Sequence, residues 1–173
     1  MATDLPFSTH DWVVHLHYGV GQITAIEVKP VDGQDTECYK VKTKNSTYWF
    51  PTNEDDNPRI RPVVSNKIIP KVIYHLRRKA GSLDPDRKYW KKKIGEVKSS
   101  GDIISISKLT RDLSSIQAIR GLNESERKAL EFFKERLLRE WASSTHEDVE
   151  KIRPLLQEHL KVSKSKIEDN GNK

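Results

Sequence analysis

Three histidines near the start of the chain, His10, His15 and His17, are the residues whose type and spacing could hold a metal ion. Residues two apart on a strand share a face, so His15 and His17 could point in the same direction. No acidic or cysteine residue lies beside them at a convincing ligand spacing. We therefore expect no metal site, and a metal-dependent enzyme built on these histidines is only an alternative to test.

Two further features resemble catalytic motifs only in part. The run Gly19-Val20-Gly21 lacks both the third glycine and the following helix of a dinucleotide-binding loop, so it predicts a tight turn between strands. Cys38 is the single cysteine, which excludes an internal disulfide framework, and no neighbouring base would lower its pKa. With no nucleophile and base pair in view, we expect a protein that is not an enzyme and needs no cofactor.

The positive charge of the chain is concentrated in one short central stretch. The net charge is +6, yet residues 67–99 alone carry 11 basic and 3 acidic side chains, whereas residues 1–66 are slightly acidic. A concentrated basic segment indicates a polyanionic partner, and phosphate backbones come first among those. No apolar run reaches the ~18–20 residues of a membrane span, so we expect a cytoplasmic protein without a membrane contact.

The segment Arg87–Lys93 places five cations around Tyr89 and Trp90. On a helix these cations form a band, since residues four apart share a face. Trp90 could pack against Ile94 in the core, or it could lie at the edge of DNA, where aromatic rings stack on or wedge between bases. The flanking cations favour the DNA interpretation. The candidate DNA-binding residues are Arg77, Arg78, Lys79, Arg87, Lys88, Tyr89, Trp90, Lys91 and Lys92.

The elements that position these residues fall into two groups. Short alternating segments bounded by Asp32-Gly33, Lys44-Asn45-Ser46 and Pro51 predict four or five strands in residues 1–64. From Ser65 the apolar spacing becomes helical and predicts about five helices, the fourth starting at a capping box, Asn123-x-x-Glu126. The predicted fold is therefore α+β: a small Tudor/SH3-like β-barrel, then an all-α bundle over residues 65–160, then a disordered tail over residues 161–173.

Several of these segments together resemble the CarD/CdnL family of bacterial transcription regulators. His10–Ile23 is similar to the start of that family, and Tyr48–Pro51 through Arg59–Val63 is similar to a later segment of its first domain. The helical half agrees in four further places, namely Ser100-Gly101-Asp102, Arg111-Asp112-Leu113, Gly121–Arg127 and Glu140-Trp141-Ala142. The resemblance runs collinearly over roughly residues 7–143.

The resemblance implies a function for each half. In that family the Tudor-like module binds the RNA polymerase β subunit, and the helical domain contacts promoter DNA at the upstream edge of the transcription bubble. The family's polymerase-contact positions correspond to Lys29 and Trp49, although the family often has a basic residue near the second. We therefore expect a monomeric regulator, associated with polymerase on the nucleoid, that stabilises the open promoter complex.

One family feature is displaced in this chain. The family places a tryptophan wedge before a basic-basic-Tyr segment, which here is Arg87-Lys88-Tyr89, so the wedge position falls at Pro85 or Asp86. Trp90 lies about one helical turn further on, and either it replaces the wedge or this protein binds by charge alone. The alternative function for the whole chain is a general RNA- or ribosome-binding protein with no polymerase contact.

Overall fold

Five antiparallel strands fold the first part of the chain into one sheet. The structure is a computed structural model, and it describes residues 6–53 and 59–168. Along the sheet the strands run in the order β4-β3-β2-β1-β5. Their bounds are β1 (Trp12–His15), β2 (Gly19–Val31), β3 (Gln34–Thr43), β4 (Thr47–Pro51) and β5 (Ile60–Pro62).

The long hairpin of β2 and β3 forms the inner part of this sheet. Asp32 and Gly33 join the two strands with φ angles of 50° and 80°, and this pair of positive values is the twist that a two-residue hairpin turn requires. The pairing register shifts between Ile23 and Ala25, where β2 carries a bulge. The Asp-Gly turn predicted from sequence is thus present where it was expected.

One face of the sheet forms the core of this unit. Alternation along the strands brings together six buried apolar side chains, Val13, Ile23, Tyr39, Val41, Tyr48 and Phe50. The Tyr39 hydroxyl donates to the carbonyl of Phe7 at 3.0 Å, which closes the segment before β1 over this core. Together with the helices that follow, the sheet confirms the predicted α+β fold with a Tudor-like first part.

Five helices form the second unit, which begins at Val64. A short 3₁₀ turn precedes them, and Pro70 lies in the first turn of the first helix, where its missing N–H costs little. Side chains of Asp86, Asp102 and Asn123 accept hydrogen bonds from the starts of three helices. The helices are α1 (Ile69–Arg77), α2 (Arg87–Ser100), α3 (Ile103–Arg120), α4 (Glu124–Thr145) and α5 (Val149–Glu168).

Helix α3 lies at the centre of the helical unit and packs against α1, α2, α4 and α5. Its stripe of buried apolar residues meets a matching stripe from each neighbour. The fully buried apolar side chains of the unit include Val72, Leu76, Trp90, Leu113, Leu130, Phe133 and Leu137. None of the described helices is both long enough and apolar enough to cross a membrane.

The disordered tail predicted from residue 161 is wrong for residues 161–168. These residues continue α5, and the helix end is tied down because the Ser163 hydroxyl donates to the carbonyl of Arg78 at 2.6 Å and Lys166 Nζ donates to that of Arg77 at 2.7 Å. These bonds satisfy carbonyls at the end of α1 that its own helix leaves without partners. Residues 169–173 lie outside the described part of the chain.

Candidate functional site

Helix α2 has one buried face and one basic face. Trp90, Ile94 and Val97 are buried at the spacing of a single helical stripe. Lys88 and Lys92 lie on the opposite side, because each residue turns the helix by 100°. The basic band predicted from sequence is therefore an outward-facing surface on a helix whose inner side is fixed in the core.

Trp90 itself belongs to the core, so the prediction that it lies at a DNA edge is wrong. The side chain is 0% exposed, and its indole Nε1 donates to the carbonyl of Asp84 at 2.7 Å. Tyr89 packs edge-to-face on it with ring centroids 5.1 Å apart and is itself half-buried. The neighbouring cations do not oppose this burial, since they occupy the other faces of the helix.

Three lysines of α2 provide the free positive charge of this surface. Lys88, Lys91 and Lys92 are exposed, and among the described residues none of their amines has a carboxylate partner. Lys93 differs, because it lies 3.8 Å from Glu96 on the next turn. Unpaired surface lysines are the groups that neutralise phosphates at the lowest cost. We call Lys88, Lys91 and Lys92 the α2 lysine face.

Arg87 is held in place by a buried carboxylate at the junction of three helices. Glu126 is 3% exposed and accepts from Arg87 at 3.0 Å and from Arg120 at 2.9 Å. It also accepts from the backbone N–H of Asn123 as half of the capping box. Hydrogen bonds, above all from Arg120, hold the pKa of the Glu126 carboxyl below its ordinary value although burial acts in the opposite direction.

Arg77, Arg78 and Lys79 lie at a different place from the α2 lysine face. Helix α1 packs against α3 and α5, whereas α2 packs against α3 and α4. Arg77 Nη1 lies 3.1 Å from Nδ1 of the buried His159, and Arg78 donates to the hydroxyl of Tyr74 at 3.1 Å. The structure thus divides the nine candidate DNA-binding residues between two surfaces and the core.

On the sheet, the two candidate polymerase-contact residues are brought together. Lys29 Nζ lies 4.7 Å from the centre of the Trp49 ring, and the Trp49 indole donates to Glu27 at 3.1 Å. Lys40 donates to the other Glu27 oxygen at 2.8 Å. The hydrogen bond from Lys40, which has the largest effect, and the one from Trp49 hold the pKa of Glu27 below its ordinary value. Sequence reasoning missed Glu27 and Lys40, which only the pairing of β2, β3 and β4 places beside Trp49.

Trp49 lies on an open edge of the sheet. Strand β4 pairs with β3 along one side, and within residues 6–53 and 59–168 no strand pairs with its other side. An unpaired edge offers backbone N–H and C=O groups to a strand from another chain. Because Trp49 is 41% exposed, this edge combines main-chain pairing capacity with a large aromatic side chain.

Of the three histidines that could be metal ligands, His15 stabilises the turn after β1 with its side chain. Nδ1 of His15 accepts from the backbone N–H of His17 at 2.9 Å and of Tyr18 at 3.2 Å. In the part of the chain that the structure describes, no three His, Cys, Asp or Glu side chains are grouped to hold a metal ion. Cys38, at 1% exposed, lies within the sheet.

Comparison with known proteins assigns each unit to the same kind of protein. A family profile described as "CarD-like/TRCF RID domain" matches residues 7–64, and one described as "CarD, C-terminal domain" matches residues 71–157. The chain is also 30% identical over 129 residues to "Putative transcription factor YdeB" of Bacillus subtilis (strain 168), an alignment that covers 72% of this chain and 83% of that protein.

Proposed function

This chain belongs to the CarD family of transcription factors, and from that premise we propose that it binds RNA polymerase and promoter DNA at the same time. The sheet would contact the polymerase β subunit through Lys29 and Trp49. The helical unit would contact DNA at the upstream edge of the transcription bubble and so stabilise the open complex. In this proposal the protein is a cytoplasmic monomer that acts with polymerase on the nucleoid and is not an enzyme.

The observation that carries the DNA half of the proposal is the α2 lysine face. Within the described part of the chain, three exposed amines have no carboxylate partner, and they lie on a helix whose opposite side is anchored by the buried Trp90. A fixed row of lysines binds the phosphate backbone but reads no sequence, because point charges lack the paired donors and acceptors that distinguish base edges. We therefore propose binding to the shape and charge of DNA. Arg77, Arg78 and Lys79 form a second, separate set of cations for the same purpose.

The polymerase half of the proposal is supported by the geometry of β4. A partner strand added to the open side of β4 would continue the sheet with main-chain hydrogen bonds, and Trp49 would supply side-chain contact. Lys29 and Lys40 lie over the Trp49 ring, and because both pair with Glu27, the three side chains leave one net positive charge beside it. This arrangement fits an acidic or aromatic strand edge on the partner.

Joining the two contacts explains how weak DNA binding could regulate transcription. A protein tethered to polymerase holds its basic helices near the bubble at high effective concentration. Any contact made only with the melted promoter shifts the closed-to-open equilibrium, and ~1.4 kcal/mol of such preference shifts it tenfold.

DNA binding by the full chain should depend strongly on salt. If about five phosphates are neutralised, log K should fall with log salt at a slope near −4.5, and the double variant Lys88→Met/Lys92→Met should reduce the slope to about −2.7. The matched control Lys151→Met/Lys161→Met removes the same charge from α5 and should leave the slope unchanged. Equal slopes for the two double variants, measured by fluorescence anisotropy, would exclude the α2 lysine face as the DNA contact.

Binding to polymerase should depend on Trp49 and not on the equally exposed Trp12. Trp49→Ala should weaken binding of the full chain to the isolated β subunit by ~2 kcal/mol, or about 30-fold, because interface aromatics carry much of the binding energy. Trp12 is 42% exposed on β1, and Trp12→Ala should change the affinity less than about threefold. Equal loss of affinity in both variants contradicts the assignment of Trp49 to the interface.

The alternative function, a general RNA- or ribosome-binding protein, predicts a different result. Tight RNA binding by the full chain with no affinity for polymerase would support it.

A further inference from the structure

Phe132 is an aromatic side chain that the helical core leaves partly exposed. The apolar spacing of α4 places Phe132 beside the inner stripe, yet its side chain is 38% exposed whereas that of Phe133 is fully buried. The two rings meet edge-on with centroids 5.3 Å apart. Adjacent residues on a helix point about 100° apart, so only one of them can face the core.

Two cations lie against the Phe132 ring. Lys98 Nζ is 5.3 Å and Arg136 Cζ is 4.7 Å from the ring centre. Lys98 comes from the last turns of α2, the helix that carries the α2 lysine face. The exposed ring is therefore adjacent to the helix proposed to bind the DNA backbone, and it has positive charge around it.

An open cavity of about 730 Å³ lies beside this ring, between the end of α2 and the first turns of α4. It is lined by Lys98, Asn123, Glu124, Ser125, Lys128, Ala129 and Phe132. The one carboxylate of the lining, Glu124, is paired with Lys128 at 2.7 Å, and both side chains are about three-quarters exposed. Such an exposed pair contributes little and can open for a ligand. The cavity thus combines space, an aromatic wall and cations.

We propose that Phe132 and the cavity beside it bind an unpaired nucleobase of single-stranded nucleic acid, with Lys98 holding the adjoining phosphate. This inference rests on the proposed function and adds a site for melted DNA to it. The flexible stem of Lys98 allows its amine to move from the ring to a phosphate, which leaves the aromatic face to the base.

The chemistry of the site selects a base that has left its stack. In a duplex both faces of every base are covered by neighbouring bases, so an aromatic side chain can stack only where a base is unpaired or partly unstacked. Stacking on an aromatic ring tolerates every base, because each has a flat π-face. The Phe132 site should accordingly contribute to binding of melted DNA and not of intact duplex.

The test compares two DNA probes of equal length, one fully paired and one with a central run of unpaired thymines. With the full chain, Phe132→Leu should weaken binding to the unpaired probe about tenfold and leave the paired probe unchanged. Phe132→Tyr keeps the ring and should bind both probes like the unmodified protein. Leu155→Ala, which removes an exposed apolar side chain of α5 in the same unit, should bind both probes normally.

A second readout shows whether stacking occurs. With 2-aminopurine in the unpaired run, the unmodified protein and Phe132→Tyr should change the base fluorescence, and Phe132→Leu should not. Phe132→Leu binding the unpaired probe normally, or losing both probes equally, overturns the proposal. The double variant Lys88→Met/Lys92→Met separates the two claims, because DNA binding unaffected by it contradicts the proposed function whatever Phe132 does.

Discussion

Trp90→Ala should destabilise the helical unit by ~3–5 kcal/mol, the range measured when a large aromatic side chain is removed from a core. Trp90 has 0% exposure and packs in the cluster that includes Ile94 and Val97. The substitution also leaves the Asp84 carbonyl without its 2.7 Å hydrogen bond from the indole. Both losses weaken the attachment of α2 and of the segment before it to the core. They should therefore also disturb the orientation of the α2 lysine face.

The measurement is thermal unfolding of the full chain followed by circular dichroism at the helical band. A loss of this size lowers the melting temperature of the helical transition by roughly 10 °C or more. Lys91→Ala, next to Trp90 on the exposed side of the helix, is the matched control and should shift the transition by less than about 2 °C. A normal melting temperature for Trp90→Ala would show that the side chain is not part of the core.

Glu126→Gln should cost ~3 kcal/mol of stability, near the lower end of the range for breaking a buried ion pair, because Arg87 remains half-exposed and can be solvated. The glutamine keeps the shape of the capping residue but not the charge that Arg120 and Arg87 share. The matched control is Glu124→Gln, whose partner Lys128 is exposed. It should change stability by less than about 0.5 kcal/mol.

The Glu126 contribution should also have a defined pH dependence. Its pKa is lowered in the folded chain, so the stabilisation is fully present above the ordinary carboxyl pKa and is lost as pH falls through the folded value. The stability difference between the unmodified protein and Glu126→Gln, obtained from urea unfolding, should therefore be constant near neutral pH and shrink in acid. A difference that persists unchanged in acid would mean that packing, not charge, explains the effect.

Local signals in the sequence were sufficient to predict the order of the strands and helices. Asp32-Gly33 indicates a hairpin because its backbone geometry is set by two adjacent residues. The capping box at Asn123 and Glu126 likewise depends on residues three apart. The change from alternating to helical spacing near Ser65 predicted the fold class, and the five helices are found in the order expected.

The burial of Trp90 and the exposure of Phe132 could not be predicted from such local signals. The charged neighbours of Trp90 favour a surface position, although its spacing from Ile94 and Val97 is that of an inner stripe. The apolar spacing of α4 places Phe132 beside the inner stripe, yet the structure leaves it half-exposed next to the buried Phe133. In each case the deciding fact is which direction a neighbouring helix approaches from, and that depends on packing between distant segments.

Long-range partners explain the remaining differences. The polar residues from Lys161 onward read as a tail, but Ser163 and Lys166 bond to carbonyls more than 80 residues earlier in the chain. Glu126 similarly joins Arg87, which lies 39 residues away. The residue pattern of a single segment does not reveal its partner in a distant segment. The sequence alone therefore identifies the polar and charged residues but not the groups to which they bond.

The proposed function makes its sharpest prediction for the lifetime of open promoter complexes formed by RNA polymerase in the presence of the full chain. The unmodified protein should prolong this lifetime, and both Lys88→Met/Lys92→Met and Trp49→Ala should abolish most of the effect, since one contact without the other removes the tether. Each variant should still bind the partner that its substitutions do not touch. An open-complex lifetime that the protein leaves unchanged, or that the lysine double variant prolongs as well as the unmodified protein does, would contradict the account.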